Sequence, residues 1–180
     1  MEKVLFKEEQ RFTQWWLWLI IISSALISIV PFMIGIYVQE VLGKPWGNNP
    51  TNTLGLIIVL IFVLLLIGSI SILILKMRLK LEIKPDGLWF CYPPLVQKWK
   101  CIKKEDIARF EVRNYRPVTE YGGWGIKGSS RSKAYNISGN TGLQLYLTNG
   151  RKVLFGTQKS QAIKYAMEKM MNGERLKNND

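Results

Sequence analysis

Two stretches of the chain, Trp15 to Val38 and Leu54 to Leu75, contain no charged residue and almost no polar one. Each is longer than the roughly 18 residues at which an apolar run reads as a membrane-spanning helix, and as a helix each crosses a hydrocarbon core of about 30 Å. The segment between them, 39–53, is rich in helix breakers: Gly43, Pro45, Gly47, Asn48, Asn49 and Pro50. It predicts a tight connection with no room for a domain. Beyond residue 76 the pattern changes period. Arg78-Leu79-Lys80-Leu81-Glu82-Ile83-Lys84 alternates strictly, as a half-buried strand does, with Leu79, Leu81 and Ile83 toward a core. Pro85-Asp86-Gly87 is a turn: Pro fixes φ and Gly accepts the left-handed position.

Further strands are predicted at Leu88 to Tyr92, Val96 to Ile102, Ile107 to Tyr115, a short one at Lys133 to Ser138, and a hairpin of Leu143 to Leu147 and Lys152 to Phe155 around Asn149-Gly150. The last element is a helix, Lys159 to Met171, with Ile163, Ala166, Met167 and Met170 forming one apolar stripe and Thr157 or Ser160 as its cap. The predicted fold is a transmembrane helix hairpin followed by an α+β, mainly β module. That module is a bent antiparallel sheet of six to seven strands closed by one C-terminal helix. The boundaries are an N-terminal cytoplasmic segment 1–14, spans 15–38 and 54–75, an external hinge 39–53, a cytoplasmic module 76–172 and a polar tail 173–180.

Charge sharpens this division. Lys3, Lys7, Arg11 and Lys44 are balanced by Glu2, Glu8, Glu9 and Glu40, so the whole net charge of +12 lies after residue 75. Lys/Arg in short flanks stay cytoplasmic, which places both termini inside and the hinge outside. Trp15, Trp16 and Trp18 then fit an inner aromatic belt, and Tyr37 and Trp46 an outer one. The first apolar run is too long for a cleavable signal core, and no small-x-small site follows it. Ser24, Ser28, Pro31 and Gly35, with Gly68 and Ser71, form small-residue faces that pack the two helices together or take a partner helix. Neither span holds a charge, which argues against transport.

Candidate chemistry is sparse. The absence of histidine removes the commonest general base and zinc ligand. Cys91 and Cys101 read as ordinary reduced thiols, and Glu105-Asp106 as the start of a strand. Gly123-x-Gly125-x-x-Gly128 matches a dinucleotide fingerprint in letters, but no helical pattern follows it. The Asn136-Ile137-Ser138 sequon falls on the predicted cytoplasmic side, where it would be unused. No cofactor and no metal are expected. Two surfaces are the candidates for binding. Lys76, Arg78, Lys80 and Lys84 stand at the membrane mouth, either as solvated positive-inside flanks or as contacts to anionic phospholipid. A glycine-aromatic segment, Tyr121, Gly122, Gly123, Trp124, Gly125, Tyr135, Asn136 and Asn140, reads either as glycines shaping a sheet rim or as a recognition loop with exposed aromatics. Lys98, Lys100, Lys103 and Lys104 form a second basic cluster, with no nucleic-acid reader motif beside it.

The strand before Pro85-Asp86-Gly87-Leu88, the Glu105-Asp106-Ile107 step, the Gly142-to-Gly156 hairpin and the closing helix together resemble the bacterial pleckstrin-homology-like (PH-like) domains found beside membrane helices. Gly122-Gly123-Trp124-Gly125-Ile126, the Ala134-to-Asn140 segment and Gly156-Thr157-Gln158-Lys159 resemble a small two-span subgroup of them. The resemblance covers residues 78 to 172 and implies fold more than function. The resulting expectation is a non-enzymatic interaction module of the cell membrane that binds a protein partner or itself. The alternative is a sensor of anionic lipid or ligand, and a small membrane enzyme ranks third.

Overall fold

A computed structural model describes residues 3–173. The chain divides into a helical unit, Thr13–Leu75, and a sheet unit built from the chain on both sides of it.

In the helical unit, α1 (Trp15–Glu40) and α2 (Thr53–Lys76) cover both predicted spans. At 26 and 24 residues and 1.5 Å per residue they are about 39 and 36 Å long, enough to cross a hydrocarbon core. Only 6 % of the most apolar window of each is buried. The connection is held by polar side chains. Gln39 Nε2 donates to the Thr51 carbonyl (2.8 Å), and Thr53 Oγ1 donates to Gln39 Oε1 (3.0 Å). Asn52 Oδ1 accepts the Gly55 amide at 2.8 Å, which caps the start of α2. Gly35 makes room for the hinge indole: a Cβ there would lie 2.7 Å from Trp46 Cε3. Trp46 thus packs back onto α1, and Gly35 serves this contact. At Gly68 a Cβ would meet open space, so among the described residues nothing presses on that position.

Among the described residues the sheet unit holds nine strands in two sheets, where six or seven in one bent sheet were expected. The first sheet is a meander of β1 (Phe6–Arg11), β2 (Arg78–Lys84), β3 (Gly87–Tyr92) and β4 (Val96–Lys103). The second, in spatial order, is β5 (Ile107–Asn114), β8 (Thr141–Leu147), β9 (Lys152–Gly156), β7 (Ser132–Asn136) and β6 (Gly125–Gly128). β7 and β9 run parallel, a departure from the expected meander. A short helix, α3 (Pro117–Tyr121), and the closing helix, α4 (Ser160–Asn172), complete the unit. The strands predicted from Arg78 onward are all present, with bounds that differ by at most two residues.

Three elements were not expected: β1, β6 and α3. In β1 the inward positions are Phe6, Glu8 and Gln10, so apolar alternation is missing although the burial alternates. Here polar bonding replaces apolar packing. Gln10 Nε2 donates to the Gly156 carbonyl (2.7 Å). The buried Glu8 carboxylate accepts from Thr157 Oγ1 (2.7 Å) and the Gln158 amide (2.8 Å), a negative group at the start of α4. Thr157 Oγ1 in turn accepts the Lys159 amide at 3.0 Å, but Lys159 itself is the N-cap of α4 and makes no side-chain cap bond, so neither Thr157 nor Ser160 caps the helix as expected.

Leu79, Leu81, Ile83, Leu88 and Phe90 of the first sheet meet Tyr135, Leu143, Leu145, Val153 and Phe155 of the second in one core. The stripe Ile163, Ala166, Met167 and Met170 of α4 closes it. A smaller cluster of Tyr115, Ala134, Leu154 and Tyr121 covers the outer face of the second sheet. Of the predicted polar tail only Gly173 belongs to the described residues.

Candidate functional site

The basic strand face is the first candidate. In β2, Arg78, Lys80, Glu82 and Lys84 alternate with the fully buried Leu79, Leu81 and Ile83, so the cations share the outward face as the alternation requires. β1 answers them, because its register puts Glu9 opposite Lys80. Glu9 Oε1 lies 3.2 Å from Arg78 Nη1 and 3.0 Å from Arg11 Nη2, and Glu9 Oε2 lies 3.8 Å from Lys80 Nζ. Burial works against the Glu9 carboxylate, but the Arg11 hydrogen bond and the charges of Lys80, Arg11 and Arg78 outweigh it and hold its pKa below the usual range. Lys7 pairs with Glu82 at 3.0 Å, and Lys84 Nζ stands 5.0 Å over the Trp89 ring. Lys76, at the end of α2, is exposed. The face is therefore a mixed-charge ladder, with Arg78 and Lys80 already sharing a carboxylate.

The glycine-aromatic segment is the second. Tyr135 is a core residue, not an exposed aromatic: it is 6 % exposed and stacks on Phe155 with ring centres 5.4 Å apart. Its neighbour Asn136 is fully buried and ties three parts of the sheet unit together. Its Oδ1 accepts the Gly125 amide (2.8 Å), its Nδ2 donates to Tyr115 Oη (3.0 Å), and its carbonyl accepts from Tyr92 Oη (3.1 Å). Burial pushes the Tyr92 and Tyr115 phenols up. Tyr121 is half-buried, edge-on to Tyr115 with centroids 6.0 Å apart. Trp124 is half-buried and its Nε1 donates to the Gly139 carbonyl (3.1 Å). Gly122 has φ +75°, a left-handed position open to glycine, and ends α3 by donating to the Val118 carbonyl while Gly123 donates to Pro117. The Asn140 carbonyl accepts the Tyr115 amide (2.7 Å). The segment folds onto itself and leaves Gly122, Gly139 and Asn140 exposed. Gly125–Gly128 is a strand that turns into strand β7, so the helix needed for pyrophosphate binding does not follow the GxGxxG letters.

Next to it, on the outer face of the second sheet, Arg113 Nη2 donates to Glu120 Oε2 (2.8 Å) and Gln144 Oε1 (3.2 Å). Glu120 Oε1 accepts the Arg116 amide at 2.8 Å. The Arg113 hydrogen bond, then the Arg116 amide, holds the Glu120 carboxyl below its usual range. Tyr146 Oη donates to Glu111 Oε1 (2.6 Å), which raises the Tyr146 phenol. These groups satisfy one another. Burial raises the Cys91 and Cys101 thiols, which are free. Among the described residues, no group of three His, Cys, Asp or Glu side chains is placed to hold a metal ion.

A third place was not foreseen. A cleft of about 330 Å³ opens where β4 faces β7 and β9, with Lys100, Lys133 and Arg151 around it, Phe90 and Tyr135 at its base, and Asp106 as its one carboxylate among the described residues. Lys100 is the ladder partner of the buried Phe90, and Lys133 that of the buried Val153. Facing ladder partners share a face of a sheet, so both lysines occupy core-facing positions. Arg151 lies in the turn just before β9, exposed, and borders the same cleft. No alternation within one strand reveals this convergence, because it depends on the parallel β7–β9 pairing. A wider hollow of about 790 Å³ is lined by Asp86, Trp89, Lys103, Glu105 and Met171, with both signs of charge.

Comparison with protein-family models, curated proteins and solved structures finds no match.

Proposed function

We propose that the protein is a non-enzymatic, membrane-anchored interaction module, with a PH-like domain held at the cytoplasmic leaflet. One observation carries this reading: the hairpin is inserted between two paired strands of one sheet. Arg11 and Arg78, on either side of it, are ladder partners in β1 and β2. A β-ladder cannot be completed across a bilayer, because lone strands there leave backbone groups without partners. Both flanks of the hairpin then share one side, which supports an even number of crossings. The outward-facing apolar side chains of α1 and α2 support lipid as their solvent. The Lys/Arg excess after residue 75 supports the cytoplasmic side. Without β6 and β7, the sheet unit reduces to seven antiparallel strands and a closing helix, the layout that the PH-like resemblance implies.

The partner surface in this reading is the free edge of β4 with the exposed Trp99 and Leu95, together with Val118 and Asn140. The partner is a protein or a second copy of this chain. The test places a photo-crosslinker at Trp99, Val118 and Asn140 in native membranes, followed by mass spectrometry. The reading expects a discrete partner or a crosslinked dimer. Recovery of the uncrosslinked monomer alone from all three positions would count against it. The second reading, binding of an anionic ligand, is favoured by the three cations of the β4–β7–β9 cleft.

A further inference from the structure

We infer that the cleft between β4, β7 and β9 binds a phosphate monoester, with Lys100, Lys133 and Arg151 holding the phosphoryl oxygens. Lys100 comes from β4, Lys133 from β7 and Arg151 from the turn before β9, and all three border one opening. Lys133 Nζ stands 5.9 Å over the Tyr135 ring, and no carboxylate among the described residues forms an ion pair with any of the three. This differs from the outward face of β2, where Glu9 already occupies Arg78 and Lys80.

Lys133 is half-buried at a core-facing strand position, where an anion offsets the cost of its partial desolvation, while Lys100 and Arg151 are exposed and flank the opening. The three cations against Asp106 leave a surplus of positive charge that suits the dianion of a phosphate monoester better than a carboxylate or a phosphodiester. The planar fork of Arg151 fits two phosphoryl oxygens, and the lysines supply point charges. Size narrows the class. A cleft of about 330 Å³ is at the small end of ligand sites, which run from about 300 to 1,000 Å³. It takes a headgroup or a small ester, not a nucleic-acid strand. The apolar base of Phe90 and Tyr135 accepts the carbon part of the ester.

The phosphate monoester has two possible sources, phosphatidic acid in the bilayer or a soluble ester. The inference rests on the membrane reading only for the first, since the cleft lies wholly in the sheet unit. The test is amine-reactive footprinting of the full chain in phosphatidylcholine nanodiscs, reading Lys100 and Lys133 against Lys98 as a neighbour outside the cleft. Three additions are compared: glycerol 3-phosphate, phosphatidic acid and phosphatidylglycerol. Labelling of Lys100 and Lys133 should slow by about threefold or more with glycerol 3-phosphate or with phosphatidic acid, leaving Lys98 unchanged. Protection by the soluble ester identifies a free ligand, and protection by phosphatidic acid alone identifies a headgroup. R151Q, at an exposed position, should raise the concentration needed by about tenfold, as expected for loss of one charge-assisted contact. Three results would overturn the inference: no slowing in either monoester arm, equal slowing at Lys98, or equal protection by phosphatidylglycerol. None of them bears on the crosslinking at Trp99, Val118 and Asn140.

Discussion

The helical and sheet units use the same residue types in opposite ways. Leu65, Phe62 and Ile27 of the hairpin are more than half exposed, while Leu79, Leu145 and Phe155 of the sheet unit have no exposed surface. In the sheet unit, period-2 alternation turns one side of each strand inward and covers it with α4. In the hairpin the apolar residues run round the whole helix, and no face is reserved for a core. Water drives the first arrangement, and only a non-aqueous surrounding suits the second. The polar groups differ in the same sense. Many of those in the sheet unit are matched to partners distant in sequence, as Glu8, Glu9 and Asn136 show, although Gln10 Oε1 is buried without a hydrogen-bond partner among the described residues. Polar bonding in the hairpin is concentrated where the chain turns, at Gln39, Asn52 and Thr53, apart from Ser69 and Ser71, whose hydroxyls donate back to the carbonyls of Leu66 and Ile67 in α2.

Truncation in the core should break the contrast most strongly. Phe155→Ala removes a ring that meets Phe90 at 4.8 Å and Tyr135 at 5.4 Å. It should cost about 3–5 kcal/mol, read as denaturant unfolding of the sheet unit in detergent with the helical signal of the hairpin retained. Next is Leu65→Arg, at a position 68 % exposed. In water such a change stays within about 0.5 kcal/mol, whereas at a helix centre in lipid it costs about 2.5–3.5 kcal/mol. A membrane-insertion assay should therefore show a clear loss, and an unchanged inserted fraction would point to water as the solvent.

Asn136→Ala leaves the Gly125 amide and the Tyr115 hydroxyl without their bonds and should destabilise the sheet unit by about 1–3 kcal/mol. A loss below a few tenths in the same unfolding assay would restore the glycine-aromatic segment as a free loop. The smallest effect is acid sensitivity. Glu120 is held below the ordinary carboxyl value of 4.5 by Arg113 and the Arg116 amide, so the unfolded chain takes up its proton first as pH falls. The stability it adds is complete above that value and disappears as pH drops through the lowered folded value. E120Q should flatten the melting-temperature profile in that acid window and leave neutral pH nearly unchanged beyond the lost ion pair.

The two apolar runs, β2 to β5, β8, β9 and the stripe of α4 were legible because each is a local period in the sequence. β1 was not, because two of its three inward residues are Glu8 and Gln10, whose partners lie at Gly156, Thr157 and Gln158. Nothing within residues 6–11 announces a partner so distant in sequence. α3 left a usable signal, Pro117 at its first turn and Gly122 just past its end. Tyr135 could be exposed or buried by composition alone, and only the stacking of β7 beside β9 decides it. The cleft cations depend on the same non-local pairing, which is why Lys100 read only as part of a basic cluster and nothing singled out Lys133 or Arg151.

The central claim is that one bilayer-spanning hairpin interrupts a module whose two halves lie on the same, cytoplasmic side. Single cysteines at Lys3, Asn48 and Gln158, in a chain with Cys91 and Cys101 replaced, can be probed with a membrane-impermeant maleimide in intact cells and again after permeabilisation. The account predicts that Asn48→Cys labels in intact cells, while Lys3→Cys and Gln158→Cys label only once the membrane is opened. Labelling of Lys3→Cys and Gln158→Cys from opposite sides, or protection of Asn48→Cys until permeabilisation, would contradict it.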